Sequence, residues 1–123
     1  MREKVLIIGG TGFIGFHLAK KCLDLKMDVT CISSKQTFKS KKLKNVNYKI
    51  CNLNNKKKLK NVIIDQYDFV VNLGGNIDHN NKRKTFNSHF VGVKNLYEVL
   101  KSKKIKRFIQ IGSSSEYGKF YGK

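Results

Sequence analysis

"KVLIIGGTGFIGFHLAKK", Lys4 to Lys21, decides the fold. It opens with a short apolar run, Lys4 to Ile8, the pattern of a strand buried on both faces. It then crosses Gly9, Gly12 and Gly15 and enters a stretch where Ile14, Leu18, Cys22 and Leu25 recur at helical spacing, with lysines on the other face. The expected helix runs from Phe13 to Lys26. Each glycine has a physical use: a tight turn, a close approach of backbone to a pyrophosphate, and close packing of helix on strand. The N–H groups and positive end of such a helix then face an anion. Three spaced glycines can serve any tight turn. A strand before them and an amphipathic helix after them make the context that of dinucleotide binding.

Outward from this stretch the periodicity keeps switching. "DVTCI" (Asp28 to Ile32) and "VNYKI" (Val46 to Ile50) read as strands two and three, separated by a basic loop from Ser33 to Asn45. A short lysine-rich helix around Asn55 to Ile63 leads into a fourth strand, "YDFVVNL" (Tyr67 to Leu73). Phe86, Phe90, Val93, Tyr97 and Leu100 form an apolar stripe, which predicts a long helix over 84–102. "RFIQI" (Arg107 to Ile111) is strand five. Strands alternating with helices predict an α/β fold, a doubly wound parallel sheet of order 3-2-1-4-5, with ligands at the carboxyl ends of the strands.

At 123 residues the chain is one domain, 1–123, able to bury a core, and its 40% hydrophobic content fits a globular protein. No apolar run approaches a membrane span, and the N-terminus has no signal-peptide core. Cys22, Cys31 and Cys51 lack a C-x-x-C spacing and read as reduced, buried thiols of a cytoplasmic protein. The three histidines, His17, His79 and His89, have no metal-ligand spacing. The net charge of +18 raises the question of a polyanionic partner. The excess is almost all Lys, and "KSKKLKNVNYK" and "NNKKKLKN" hold one aromatic between them. That favours lysines filling solvated positions over a specific nucleic-acid surface. No membrane partner is expected either.

The motifs, in order, resemble the NAD-dependent epimerase/dehydratase family of the extended short-chain dehydrogenase/reductase superfamily, whose members modify nucleotide-linked sugars. "GGTGFIGFHL" is similar to the family's phosphate loop, and "CNLNN" sits where members usually carry an Asp-Leu or Asp-Val near the adenine. "VVNLGG" stands where the family often has His-Leu-Ala-Ala. "FNSHFVGVKNLYEVL" is similar to the Asn-x-x-Gly-Thr-x-Asn-Leu-Leu helix, with Gly92, Asn95 and Leu96 in step and Asn87 two residues ahead of the pattern's first Asn, and "FIQIGSSSEYGK" resembles the strand-five serine motif. The resemblance implies the N-terminal portion of an NAD(P)-dependent epimerase, dehydratase or 4-ketoreductase, moving hydride between the nicotinamide and a sugar carbon. It implies cofactor contacts at Gly9, Thr11, Gly12, Phe13, Ile14, Gly15, Ser33, Lys35, Asn52, Leu53, Leu73, Gly74 and Gly75.

An NAD-preferring site places an acid at the end of strand two. Here the residues are Ser33, Ser34 and Lys35, whose hydroxyls and ammonium suit a 2′-phosphate, so NADP is expected over NAD. The family's serine, which bonds the reacting sugar oxygen, falls on Ser113, or on Ser114 if the Ser-Glu pair is the anchor. Ser114, Glu116 and Tyr117 are the matching substrate-pocket residues. The family's Tyr-x-x-x-Lys pair, in which a cation lowers the tyrosine pKa for proton transfer, lies well downstream of that serine, and no such pair follows Ser113 in these residues. The expectation is therefore a Rossmann domain truncated after strand five, without the C-terminal substrate-binding region. The nucleotide-sugar substrate and a homodimer through the 84–102 helix would belong to the intact enzyme. A non-catalytic NADP-binding module, a truncated vestigial product and a basic nucleic-acid-binding protein are the alternatives.

Overall fold

The computed structural model describes residues 2–36, 42–74 and 90–111. The elements are β1 (Lys4–Ile8), α1 (Phe13–Asp24), β2 (Asp28–Ser33), β3 (Val46–Ile50), α2 (Lys56–Val62), β4 (Phe69–Asn72), α3 (Gly92–Leu100) and β5 (Arg107–Gln110). The strands form one parallel sheet, β3-β2-β1-β4-β5. This is the expected α/β, doubly wound order.

β1 lies at the centre, Val5 opposite both Val29 and Phe69. Its alternate residues feed two cores. Val5 and Ile7 join Ala19, Cys22, Val29 and Cys31 beneath α1. Leu6 and Ile8 join Ile32, Leu59, Ile63, Val70, Leu96 and Val99 beneath α2 and α3. A central parallel strand covered on both sides needs this unbroken apolar run. β5 borders the described sheet, and all four of its residues are exposed.

Helix α1 closes in a Schellman motif: Lys26 N–H donates to the Leu23 carbonyl at 2.9 Å, and Met27 N–H to the Cys22 carbonyl at 3.0 Å. Lys26 takes the left-handed position at φ 63°. At the start of α2, the Asn55 side chain caps by accepting from Lys58 N–H at 3.1 Å.

Two helical faces differ from the sequence reading. α1 buries Gly15, Ala19 and Cys22, whereas Ile14 and Leu25 are each 61% exposed. The helix sits close to the sheet, so its small residues face inward and the larger apolar ones are displaced outward. In α3 the buried face is Gly92, Leu96, Val99 and Leu100, while Tyr97 is 66% exposed. The stripe through Phe90, Val93 and Tyr97 is thus a second apolar face, rotated off the core; Phe86 lies outside the described residues. Among the described residues no helix is long and apolar enough to cross a membrane.

Candidate functional site

Parallel strands point their carboxyl ends to one side, and the loops that leave them gather there. The turn after β1 is the centre of the group. Gly9 adopts φ 82°, a conformation L side chains rarely enter, and its N–H donates to the Ile32 carbonyl at 2.7 Å. A Cβ at Gly9 would come within 3.1 Å of Gly74 N and the Leu73 carbonyl carbon, so the turns after β1 and β4 lie against each other. Gly15 faces back onto the turn, where a Cβ would collide with the Gly9 carbonyl oxygen and come within 2.6 Å of Gly10 Cα.

Gly12 is different. It is exposed, it is the N-cap of α1 without a side-chain cap, and a Cβ there would meet only the Gly9 carbonyl oxygen at 3.6 Å. No acid occupies the first turn of the helix. The turn therefore offers uncapped backbone N–H donors beside open space, which fits the pyrophosphate of a dinucleotide. Thr11 is half-buried at the turn, and Phe13 (82% exposed) and Ile14 extend from it into solvent.

The other expected contacts gather at the same end. After β2, the Ser33 hydroxyl donates to the Lys35 carbonyl at 3.0 Å and is committed to that turn, leaving Ser34 and Lys35 as exposed polar groups. After β3, Asn52 Oδ1 accepts from Asn54 N–H at 2.9 Å, so Asn52 shapes its own turn. Leu53 packs near Gly74, with its Cδ1 4.0 Å from the position of a Gly74 Cβ. Leu73 and Gly74 complete the group. Gly75, Ser113, Ser114, Glu116 and Tyr117 lie outside the described residues, as do His79 and His89. His17 is exposed on α1, with its ring 4.7 Å from that of Phe13.

Three supporting residues were not singled out by the sequence reading. Gly10 is buried, and a Cβ on it would run into the Cys31 thiol and come within 2.6 Å of Cys31 Cβ. Burial pushes the Cys31 pKa up to about 12, helped by neighbouring Cys22, so the thiol is inert packing. Asn72 ends β4 fully buried and bonds both Gly74 and Gln110. Gln110, on β5, is its partner. The available signals were the doubled glycine at Gly9–Gly10 and a lone amide closing an apolar strand. Asn95, noted earlier only as a motif residue, donates to the Leu53 carbonyl at 2.8 Å.

At the opposite, amino end of the sheet a polar hollow of about 270 Å³ is lined by Lys4, Asp28, Thr30, Asn47, Asp65 and Tyr67, among others. It is remote from the glycine turn. The buried Tyr67 hydroxyl finds no hydrogen-bond partner among the described residues, and burial raises its pKa. Thr30 opposes that rise, though the pair does not meet hydrogen-bond geometry.

Comparison with known proteins gives this geometry a family. The NAD dependent epimerase/dehydratase family model matches residues 5–122. Protein CapI of Staphylococcus aureus is 34% identical over 130 residues, covering 94% of this chain and 39% of its own. The bifunctional UDP-glucose 4-epimerase and UDP-xylose 4-epimerase 1 of Pisum sativum is 26% identical over 133 residues, covering 94% and 38%. The chain thus spans about two-fifths of the length of these relatives. Among solved structures, the Bordetella bronchiseptica enzyme WbmG in complex with NAD and UDP superposes with a TM-score of 0.85 at 15% identity, over 96% of this chain and 40% of that one. With the glycine turn, the sheet order and the matched residues all in agreement, the chain belongs to the NAD dependent epimerase/dehydratase family.

Proposed function

We propose that these residues form the cofactor-binding portion of a nucleotide-sugar epimerase, dehydratase or 4-ketoreductase. The single observation that carries this reading is the turn from Gly9 to Gly15, closed by backbone packing at Gly9 and Gly15 and open at Gly12 between them. When bound, the nicotinamide supplies a hydride acceptor and donor. The chain's own residues hold and orient. The N–H groups at the start of α1 bind the phosphates, and the loop at Asn52–Leu53 borders the adenine. Ser113 orients the reacting sugar oxygen, with Ser114 as its alternate, and Glu116 and Tyr117 shape the sugar pocket. The UDP sugars named for the relatives give the substrate class.

The finer choice of NADP over NAD is supported by the exposed Lys35 and the absence of a carboxylate from Ser33 to Gln36. The NAD in the WbmG complex argues the other way. A homodimer through the exposed face of α3 and a cytoplasmic setting complete the reading. Calorimetric titration of the purified chain with NAD and with NADP tests it. Binding that disappears in Gly12→Asp supports the assignment; no binding of either dinucleotide overturns it. Assay of the same chain on a UDP-hexose separates a working enzyme from a cofactor-binding module without turnover.

A further inference from the structure

Asn72 carries the one amide side chain among the described buried residues, and it is 0% exposed. A buried amide is costly unless its groups are bonded, and an apolar residue of similar size could fill the space. The β4–β5 pairing has backbone bonds of its own, including Ile111 N–H to the Asn72 carbonyl at 3.1 Å. The side chain therefore does something the ladder does not. Its Oδ1 accepts from Gly74 N–H at 2.9 Å, and its Nδ2 donates to Gln110 Oε1 at 2.8 Å. Gln110 Nε2 in turn donates to the Ile111 carbonyl at 3.3 Å. The Gly74 nitrogen held in this way is, with the Leu73 carbonyl carbon, one of the two atoms that a Cβ on Gly9 would meet first, at 3.1 Å.

We propose that Asn72 is a positioning residue that locks the Leu73–Gly74 peptide against the phosphate turn and, through Gln110, ties it to the carboxyl end of β5. The Gly9 turn and the strand leading toward Ser113 then hold a fixed spacing, as transfer between a bound cofactor and a substrate requires. This rests on the cofactor reading above. It adds a residue that touches neither ligand.

The experiment uses Asn72→Leu, together with Gln110→Leu and Gln110→Glu. Gln110 is exposed, so its variants fold even if Asn72→Leu does not. Amide exchange at Gly74 is followed by NMR on the cofactor-free chain, and NAD affinity is measured by calorimetry. Gln110→Leu should speed Gly74 exchange and weaken NAD binding, each about tenfold, the scale of one lost hydrogen bond. Gln110→Glu keeps an acceptor for Asn72 Nδ2 and should restore both. A lower melting temperature with Gly74 exchange and affinity unchanged overturns the proposal. If the unaltered chain binds no NAD, the cofactor reading fails, and Gly74 exchange alone decides whether Asn72 holds the peptide.

Discussion

The Gly9 carbonyl oxygen occupies the place where a side chain on Gly15 would begin, whereas Gly12, between them in sequence, looks onto open space. Two glycines of one motif therefore answer to different constraints. Gly15→Ala should destabilise the chain by about 1–3 kcal/mol, because backbone has to move. Gly12→Ala, at an ordinary φ of −76°, should leave the melting temperature nearly unchanged. Gly12→Asp should fold equally well and lose the dinucleotide. Equal melting losses for Gly12→Ala and Gly15→Ala would contradict this division.

Gly10 and Cys31 form a second such pair, invisible to the spacing of the motif. Gly10→Ala should cost about 1–3 kcal/mol by overpacking. Cys31→Gly, destabilising alone, removes both atoms that the new methyl would strike. The double variant should therefore be more stable than the sum of the single losses, a coupling that denaturant titration measures directly.

Cys31 also sets an alkaline limit. Its folded pKa is pushed from the ordinary 9.0 to about 12 by burial, and burial raises Cys22, Cys51 and Tyr67 in the same direction. An acid whose folded pKa lies above its unfolded value keeps its proton longer in the native state. The stability this carries is complete below the unfolded pKa and drains away as pH climbs toward the folded one. The urea midpoint should stay level through neutral pH and fall between about pH 9 and 11. Cys31→Ala should fall less steeply over that interval. A midpoint independent of pH up to 11 would refute the assignment.

The end of α1 leaves room for improvement. Lys26 holds a left-handed conformation that glycine enters without steric cost. Lys26→Gly should raise stability by about 0.5–1 kcal/mol with the Schellman bonds intact. Thermal melting checks this, and a lower melting temperature would show that the lysine stem contributes packing that outweighs the strain.

Tyr97 tests the proposed homodimer. The residue is 66% exposed on α3, on the face beside the core positions Leu96 and Leu100. Tyr97→Glu should shift a sedimentation profile from dimer toward monomer while leaving the fold unchanged, since the residue lies outside both cores. A monomeric unaltered intact enzyme at high micromolar concentration would remove the basis for the dimer.

Much of the fold was legible because the parallel strands carry unbroken apolar runs: β1 and β3 lie where periodicity put them. The helix faces were not. Period 3.6 finds that a helix is amphipathic, but α1 and α3 each have two apolar edges, and only contact with the sheet decides which is inside. Small residues such as Gly15 and Ala19 won that place because the helix must lie close to β1. The glycine turn was legible from its spacing. Gly10, Asn72 and Gln110 were not, because their roles come from partners between 21 and 38 residues away, Cys31 for Gly10 and Gln110 for Asn72. At Ser33 the structure adds a local detail that spacing does not carry: the hydroxyl donates to the Lys35 carbonyl at 3.0 Å.

Among the described residues the buried set carries no charged side chain; its polar groups are Thr30, Asn72, the Tyr67 hydroxyl and three neutral thiols, and no described lysine belongs to it. Folding information and charge therefore occupy separate residues in this chain. Acetylation of the described lysines would lower the chain's positive charge and change its electrophoretic mobility without removing any side chain of either core.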